Sequence, residues 1–253
     1  MREIQAAKNN KIKKLKKLHQ RKYRNQSEDY LLEGYHLIEE AAKAHANIKE
    51  VFLDKRGMDL WQDWVEHHQF TYYVLSDEAM KSLSEQPTPQ GIIALVQKAN
   101  NYPSDFSGKW LLLDNVQDPG NVGTIVRTAD AAGFDGIFLG EGTADKYSPK
   151  VLRSMQGSQF HLPIFSGELT EVIAEFQSIG SKIYGTKLDP EAISYKEVET
   201  KDNFVLILGN EGQGVAENIL QLTNQNLYIP IYGDAESLNV GVAAGILIYA
   251  LIS

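Results

Sequence analysis

From residue 110 onward the chain repeats one pattern: a short apolar run, a polar corner, then a segment with helical apolar spacing. The runs fall at 110–113, 136–139, 182–186, 204–208 and 227–231, and helices are expected at 123–132, 170–179 and 237–251. Strands that are apolar along their whole length are buried on both faces, and helices between them act as parallel crossovers. The fold class is therefore α/β, with a parallel sheet in residues 108–253. Ligands of such sheets sit beyond the carboxyl ends of the strands. The informative residues should be those just after each run.

Residues 23–99 read as a smaller α/β domain. Leu31, Leu32, Tyr35, Leu37, Ile38 and Ala41 have helical spacing within 30–46. Strands are expected at 51–53, 71–75 and 91–96, with a helix at 60–68 and another from Asp77, capped by Ser76. The turn formers from Asn100 to Asp105 mark a linker over 100–107.

Charge is unevenly spread. Residues 1–26 hold ten basic side chains against Glu3 alone, a net of +9. The whole chain carries −8, so the other 227 residues carry −17. A basic arm over 1–22 on an acidic body suits a salt-sensitive grip on phosphate, with Lys13, Lys14, Lys16 and Lys17 as its centre. A lysine run alone fits a solvated helix face better than a phosphate grip, and Ile12, Leu15 and Leu18 allow that helix to dock on the body.

Several classes drop out. The 253 residues contain no cysteine, which excludes disulfides, thiolate metal sites and a cysteine nucleophile. The six histidines lack metal-ligand spacing, so no metal is expected. The Lys-rich start lacks the apolar stretch of a signal peptide. No stretch reaches the ~18 apolar residues of a membrane span. A soluble, cytoplasmic protein is expected. No G-x-G-x-x-G follows a strand, and the segment from Gly180 to Lys187 reverses the Lys-Ser/Thr order of a phosphate loop.

Three glycine-bearing corners follow strands. The first runs from Asp114 through Pro119-Gly120-Asn121 to Gly123 and enters a helix carrying Arg127. Its backbone N–H groups are available to a ligand, and Asn121 can cap the helix. The second is Gly209-Asn210-Glu211-Gly212-Gln213-Gly214, where glycines permit close approach around one acid. The third is Ile229-Pro230-Ile231 followed by Ser237-Leu238-Asn239-Val240, with Ser237 placed as a helix cap.

Taken in order and spacing, these corners resemble the SpoU, or TrmH, family of RNA ribose 2′-O-methyltransferases of the SPOUT class, over residues 110–253. The segment from Ser148 to Ser154, with Phe160-His161-Leu162-Pro163, resembles it too. Glu33-Gly34 and Thr88-Pro89-Gln90-Gly91-Ile92 resemble an RNA-binding accessory domain of ribosomal-protein-L30e-like fold. Many relatives carry serine where this chain has Gly241, which removes one hydrogen bond near the site.

The resemblance implies a deep trefoil knot in the parallel-sheet domain and S-adenosylmethionine as cofactor. By motif position the cofactor contacts are Thr186, Gly209, Ile229 and Leu238. It implies methyl transfer to a ribose 2′-hydroxyl, which needs in-line approach and a route for the proton. Arg127 takes the position of the family's essential arginine. A guanidinium with a pKa above about 12 is a poor base, and a hold on the target phosphate is easier to defend. Asn121 would orient Arg127 or the ribose, and Glu211 would hold Arg127 or an RNA group. Ser237 and Asn239 would shape the pocket, and Arg153 would contact RNA. The family works as homodimers through the last helix. The RNA is expected to be 23S rRNA, with tRNA as the alternative. A non-catalytic RNA-binding protein would show damage at Arg127, Glu211 or Asn239. A base-modifying SPOUT enzyme would have a different first corner.

Overall fold

The computed structural model describes residues 2–99, 102–188, 191–198 and 202–252. The chain first forms β1 (Arg2–Ile4), α1 (Asn10–Lys17), α2 (Arg21–Arg24), β2 (Asp29–Glu33), α3 (Tyr35–Lys43), β3 (Ile48–Leu53), α4 (Lys55–His67), β4 (Tyr72–Leu75), α5 (Asp77–Leu83) and β5 (Ile92–Gln97). It continues with β6 (Lys109–Leu113), α6 (Pro119–Ala131), β7 (Gly136–Leu139), α7 (Pro149–Met155), β8 (Ile164–Ser166), α8 (Leu169–Ser178), β9 (Lys182–Thr186) and β10 (Ile193–Ser194). The last elements are β11 (Phe204–Leu208), α9 (Glu217–Leu220), β12 (Gln225–Tyr228) and α10 (Val240–Leu251). They divide into two compact units.

The first unit comprises residues 2–99 together with 145–160. Its sheet runs β1-β4-β3-β5-β2; β1, β4 and β3 are parallel, and β5 is antiparallel to β3 and β2. Residues 30–33, expected to be helical, are strand. Tyr30, Leu31 and Leu32 pair with Val96, Leu95 and Ala94, and all three are buried. Gly34 explains the break. Its φ of +104° interrupts a helix at a cost that glycine alone avoids, so α3 begins only at Tyr35.

The basic start is part of this unit and not a free arm. Strand β1 pairs with β4, and Asn9 caps α1 through the Lys11 N–H. Ile12 and Leu15 are buried in a cluster with Phe52, Tyr73, Leu75 and Met80. Lys11 turns inward to Glu50 at 2.6 Å, whereas Lys13, Lys14, Lys16 and Lys17 are exposed.

Residues 145–160, expected to belong with 108–253, pack on the first unit. Arg24 is 4% exposed and sends Nε and Nη2 to Asp145 at 2.8 and 2.7 Å, while its Nη1 donates to the carbonyls of Leu18 and His19. Tyr147 packs against Tyr30 with ring centroids 4.7 Å apart. Of the expected linker, residues 100 and 101 lie outside the described residues.

The second unit comprises 102–144 with 161–252. Among the described residues its seven strands are all parallel, in the order β10-β12-β9-β11-β6-β7-β8. β11 is buried at every residue and lies between β6 and β9. One face carries Trp110, Leu112, Phe138, Ile183, Val205 and Ile207 against Phe176 of α8. α10 packs on α6.

Candidate active site

Because the strands are parallel, the corners after β6, β9, β11 and β12 emerge from one end of the sheet. Those after β9, β11 and β12 line a cavity of about 800 Å³, within the range of cofactor sites, and the corner after β6 is tied to its wall through Glu211. Thr186, Gly209, Ile229 and Leu238 all line it, as do Glu211 and Ser237. Leu208, Leu227 and Leu247 supply apolar wall, and Glu211, Glu217 and Glu236 supply carboxylates against Lys187. Lys187 already pairs with Glu217 at 3.2 Å.

Local rules build each wall. A Cβ on Gly209 would lie 2.1 Å from the Gly214 carbonyl carbon and the Val215 nitrogen, so only glycine permits this crossing. Asn210 then ties the loop: its Oδ1 accepts from the Gly212 and Gln213 amides, and its Nδ2 donates to the Asn115 carbonyl at 2.9 Å. Thr186 donates its hydroxyl to the Ile207 carbonyl at 3.0 Å, joining β9 to β11.

The helix caps differ from expectation. α6 starts at Pro119, not Gly123, and Asp118 caps it by accepting from the Gly120 and Asn121 amides. α10 starts at Val240, and its cap is Asn239, not Ser237. Asn239 Oδ1 accepts from the Gly241 amide at 2.9 Å and the Val242 amide at 3.3 Å. A Cβ at Gly241 would sit 3.2 Å from that oxygen and 3.4 Å from Thr124, so a side chain there would require these neighbours to give slightly.

With capping done by others, Asn121 is free to join the corners. Its Nδ2 donates to Glu211 Oε1 at 3.0 Å, and its Oδ1 accepts from Asn239 Nδ2 at 3.0 Å. Glu211 also accepts from the Gln117 and Asp118 amides at 3.2 and 3.1 Å. One hydrogen-bonded chain therefore links all three corners. Partial burial pushes the Glu211 carboxyl up, but the donors from Asn121 and the backbone outweigh it, and the net direction is below the ordinary carboxylate value.

Other expected site residues lie apart. Arg127 is exposed on the third turn of α6, does not line the cavity, and its side chain makes no hydrogen bond or ion pair among the described residues. Glu211 is held by the first corner and not by Arg127. Arg153 and the four lysines belong to the first unit. Arg153 is half-buried beside His19 and Glu33, which favours a role inside that unit over a phosphate contact. Sequence reasoning missed Asp118, Asp114 and Asn210. Asp118 was legible as a cap before Pro119. Asp114, which accepts from the Ala216 amide at 2.7 Å, carried no local signal.

The fold and site define an α/β protein that takes a ligand at the carboxyl end of a parallel sheet, between corners braced by side-chain amides. The chain belongs to the SpoU rRNA Methylase family, whose model matches residues 109–249; residues 9–94 match the MRM3-like substrate binding domain. It is 45% identical over 251 residues, 99% of each chain, to the 23S rRNA (guanosine(2553)-2′-O)-methyltransferase RlmP of Bacillus subtilis (strain 168). The AdoMet-bound rRNA methyltransferase from Sinorhizobium meliloti superposes with a TM-score of 0.88 at 25% identity, covering 99% of this chain and 97% of that one. The A. aeolicus TrmH/SpoU tRNA modifying enzyme gives 0.51 at 31% identity and covers 58% of this chain and 74% of its own.

Proposed function

We propose that this protein is an S-adenosylmethionine-dependent enzyme that methylates a ribose 2′-hydroxyl of 23S rRNA. The observation that carries the reading is the Glu211–Asn121–Asn239 chain at the edge of one cavity, built from the three corners the family shares. The cavity suits the cofactor. Its apolar wall fits an adenine ring, and its excess of carboxylate over lysine fits a cationic sulfonium and ammonium. Bound S-adenosylmethionine supplies an electrophilic methyl group. Thr186, Gly209, Ile229 and Leu238 would hold it, largely through backbone groups.

The chain's own residues then position the nucleophile. Asn121 and Asn239 present fixed amides beside the cavity, and Ser237 lines it. Arg127, unpaired and exposed, anchors a phosphate of the target nucleotide through a charge-assisted fork. The exposed lysines of α1 add sequence-independent attraction. Ribosomal RNA is favoured over tRNA because the rRNA-named relatives match both units, whereas the tRNA-named structure matches little more than the second.

Two further features belong to this reading. β11 enters between β6 and β9, and the chain then passes to β12 on the far side of β9, an order in keeping with a trefoil knot. Val242 and Tyr249 stand 54% and 49% exposed on α10, and Gly245 has open space around it, which suits a second copy on that face. The enzyme works in the cytoplasm and without a metal.

The test is Arg127→Ala. Methyl transfer should fall by at least a hundredfold, with S-adenosylmethionine affinity within a few-fold of the parent by calorimetry. Full activity in that variant would remove Arg127 from the site.

A further inference from the structure

The loop between β12 and α10 exposes one large aromatic side chain. Tyr232 is 89% exposed, more than any other large apolar or aromatic side chain among the described residues, and it has no ring contact or hydrogen bond among them. A ring standing free in water keeps both faces available for stacking. Its position is specific. Ile231 on one side and Glu236, Ser237 and Leu238 on the other all line the cavity. Leu188, 69% exposed, lines the same cavity from the end of β9.

We propose that Tyr232 is the stacking platform for the base of the nucleotide whose ribose is methylated. The inference rests on the function proposed above and adds a residue that none of the three corner motifs includes. Covalent geometry supplies the first argument. The base is attached to C1′, next to the carbon that carries the reacting hydroxyl, so it lies within one side-chain length of the methyl-transfer point. Charge supplies the second. Asp234 and Glu236 follow Tyr232 by two and four residues in the same exposed loop. Two carboxylates repel backbone phosphates, but they tolerate a base and can accept its N–H donors. An exposed ring among carboxylates therefore suits a base rather than a phosphate. Stacking on an aromatic face is the usual way a protein holds an unpaired base.

The experiment is steady-state methylation of 23S rRNA from cells lacking the enzyme. The parent protein must methylate this RNA; failure there would sink the proposed function and not this inference alone. Tyr232→Ala should raise KM for RNA about tenfold, with S-adenosylmethionine affinity unchanged. Tyr232→Phe and Tyr232→Trp should restore KM to near the parent value, and Tyr232→Leu should stay near the alanine variant. An alanine variant with unchanged KM would overturn the proposal. So would rescue by leucine as full as that by phenylalanine, which would indicate apolar packing. A shift in the sedimentation of the free alanine variant would equally overturn it, making Tyr232 a self-association contact.

Discussion

Asn121 has a single amide, and both of its ends are spoken for. Glu211, ionised, can only accept, so it takes Nδ2; Asn239 must spend its own oxygen on the α10 amides, so its Nδ2 meets the Asn121 oxygen. The orientation of both amides thus follows from groups whose sense is fixed. The depressed Glu211 carboxyl has a direct consequence. A group whose folded pKa lies below its unfolded value contributes stability above the unfolded value, here near 4.5, and loses it as pH falls through the folded one. Glu211→Gln should therefore flatten the acid side of the stability profile below about pH 4.5. At pH 7 it should cost only about 1 kcal/mol, because the carboxylate is largely exposed. Urea melts at pH 3.5 and 7 check this; equal losses at both would contradict it.

At the scale of elements, α1 separates two roles by face. Its inner face, Ile12 and Leu15, is core, and its outer face, Lys13, Lys14, Lys16 and Lys17, is solvent. Ile12→Ala or Leu15→Ala should cost roughly 2–4 kcal/mol of stability. Changing the four lysines to glutamine should leave the melt within about 1 kcal/mol, as ordinary surface changes do. It should also lower the slope of log K for RNA against log salt by about 0.7 to 0.9 per lost phosphate contact. Thermal melts and filter binding across a salt series check both halves. An unchanged slope would leave α1 a purely structural helix.

This helix also shows what the sequence could convey. Its amphipathic spacing was readable, and so were the second unit's strands, because an apolar run buried on both faces has few other fates. β2 was not, because Leu31, Leu32 and Tyr35 fit a helical period until the positive φ of Gly34 intervenes. The caps of α6 and α10 were misplaced by two or three residues, since several good capping side chains stand in a row at each start. The gathering of Thr186, Gly209, Ile229 and Leu238 at one cavity followed from motif position. The brace from Asp114 to Ala216, 102 residues apart, has no local signature.

For the whole molecule, connectivity complicates the picture of two successive domains. The chain enters the second unit at 102, returns to the first for 145–160, and re-enters the second at 161. Thr143 bonds to the Leu113 carbonyl at the end of β6 and Ala144 to the Val116 carbonyl in the first corner, and the next residue is Asp145, the partner of Arg24. The residues that brace the first corner and the first unit's segment 145–160 are therefore consecutive in the chain. Cutting at 100 would leave Arg24 buried without its carboxylate, at a cost of about 3–5 kcal/mol.

Every role assigned to the three corners depends on the reaction itself. The most direct measurement is transfer of labelled methyl from S-adenosylmethionine to RNA from a strain lacking the gene, resolved by size class and digested to nucleosides. Label is expected in 23S rRNA, recovered as a 2′-O-methylnucleoside, and none with Arg127→Ala. Label confined to tRNA, or recovered on a base, would contradict the proposed function.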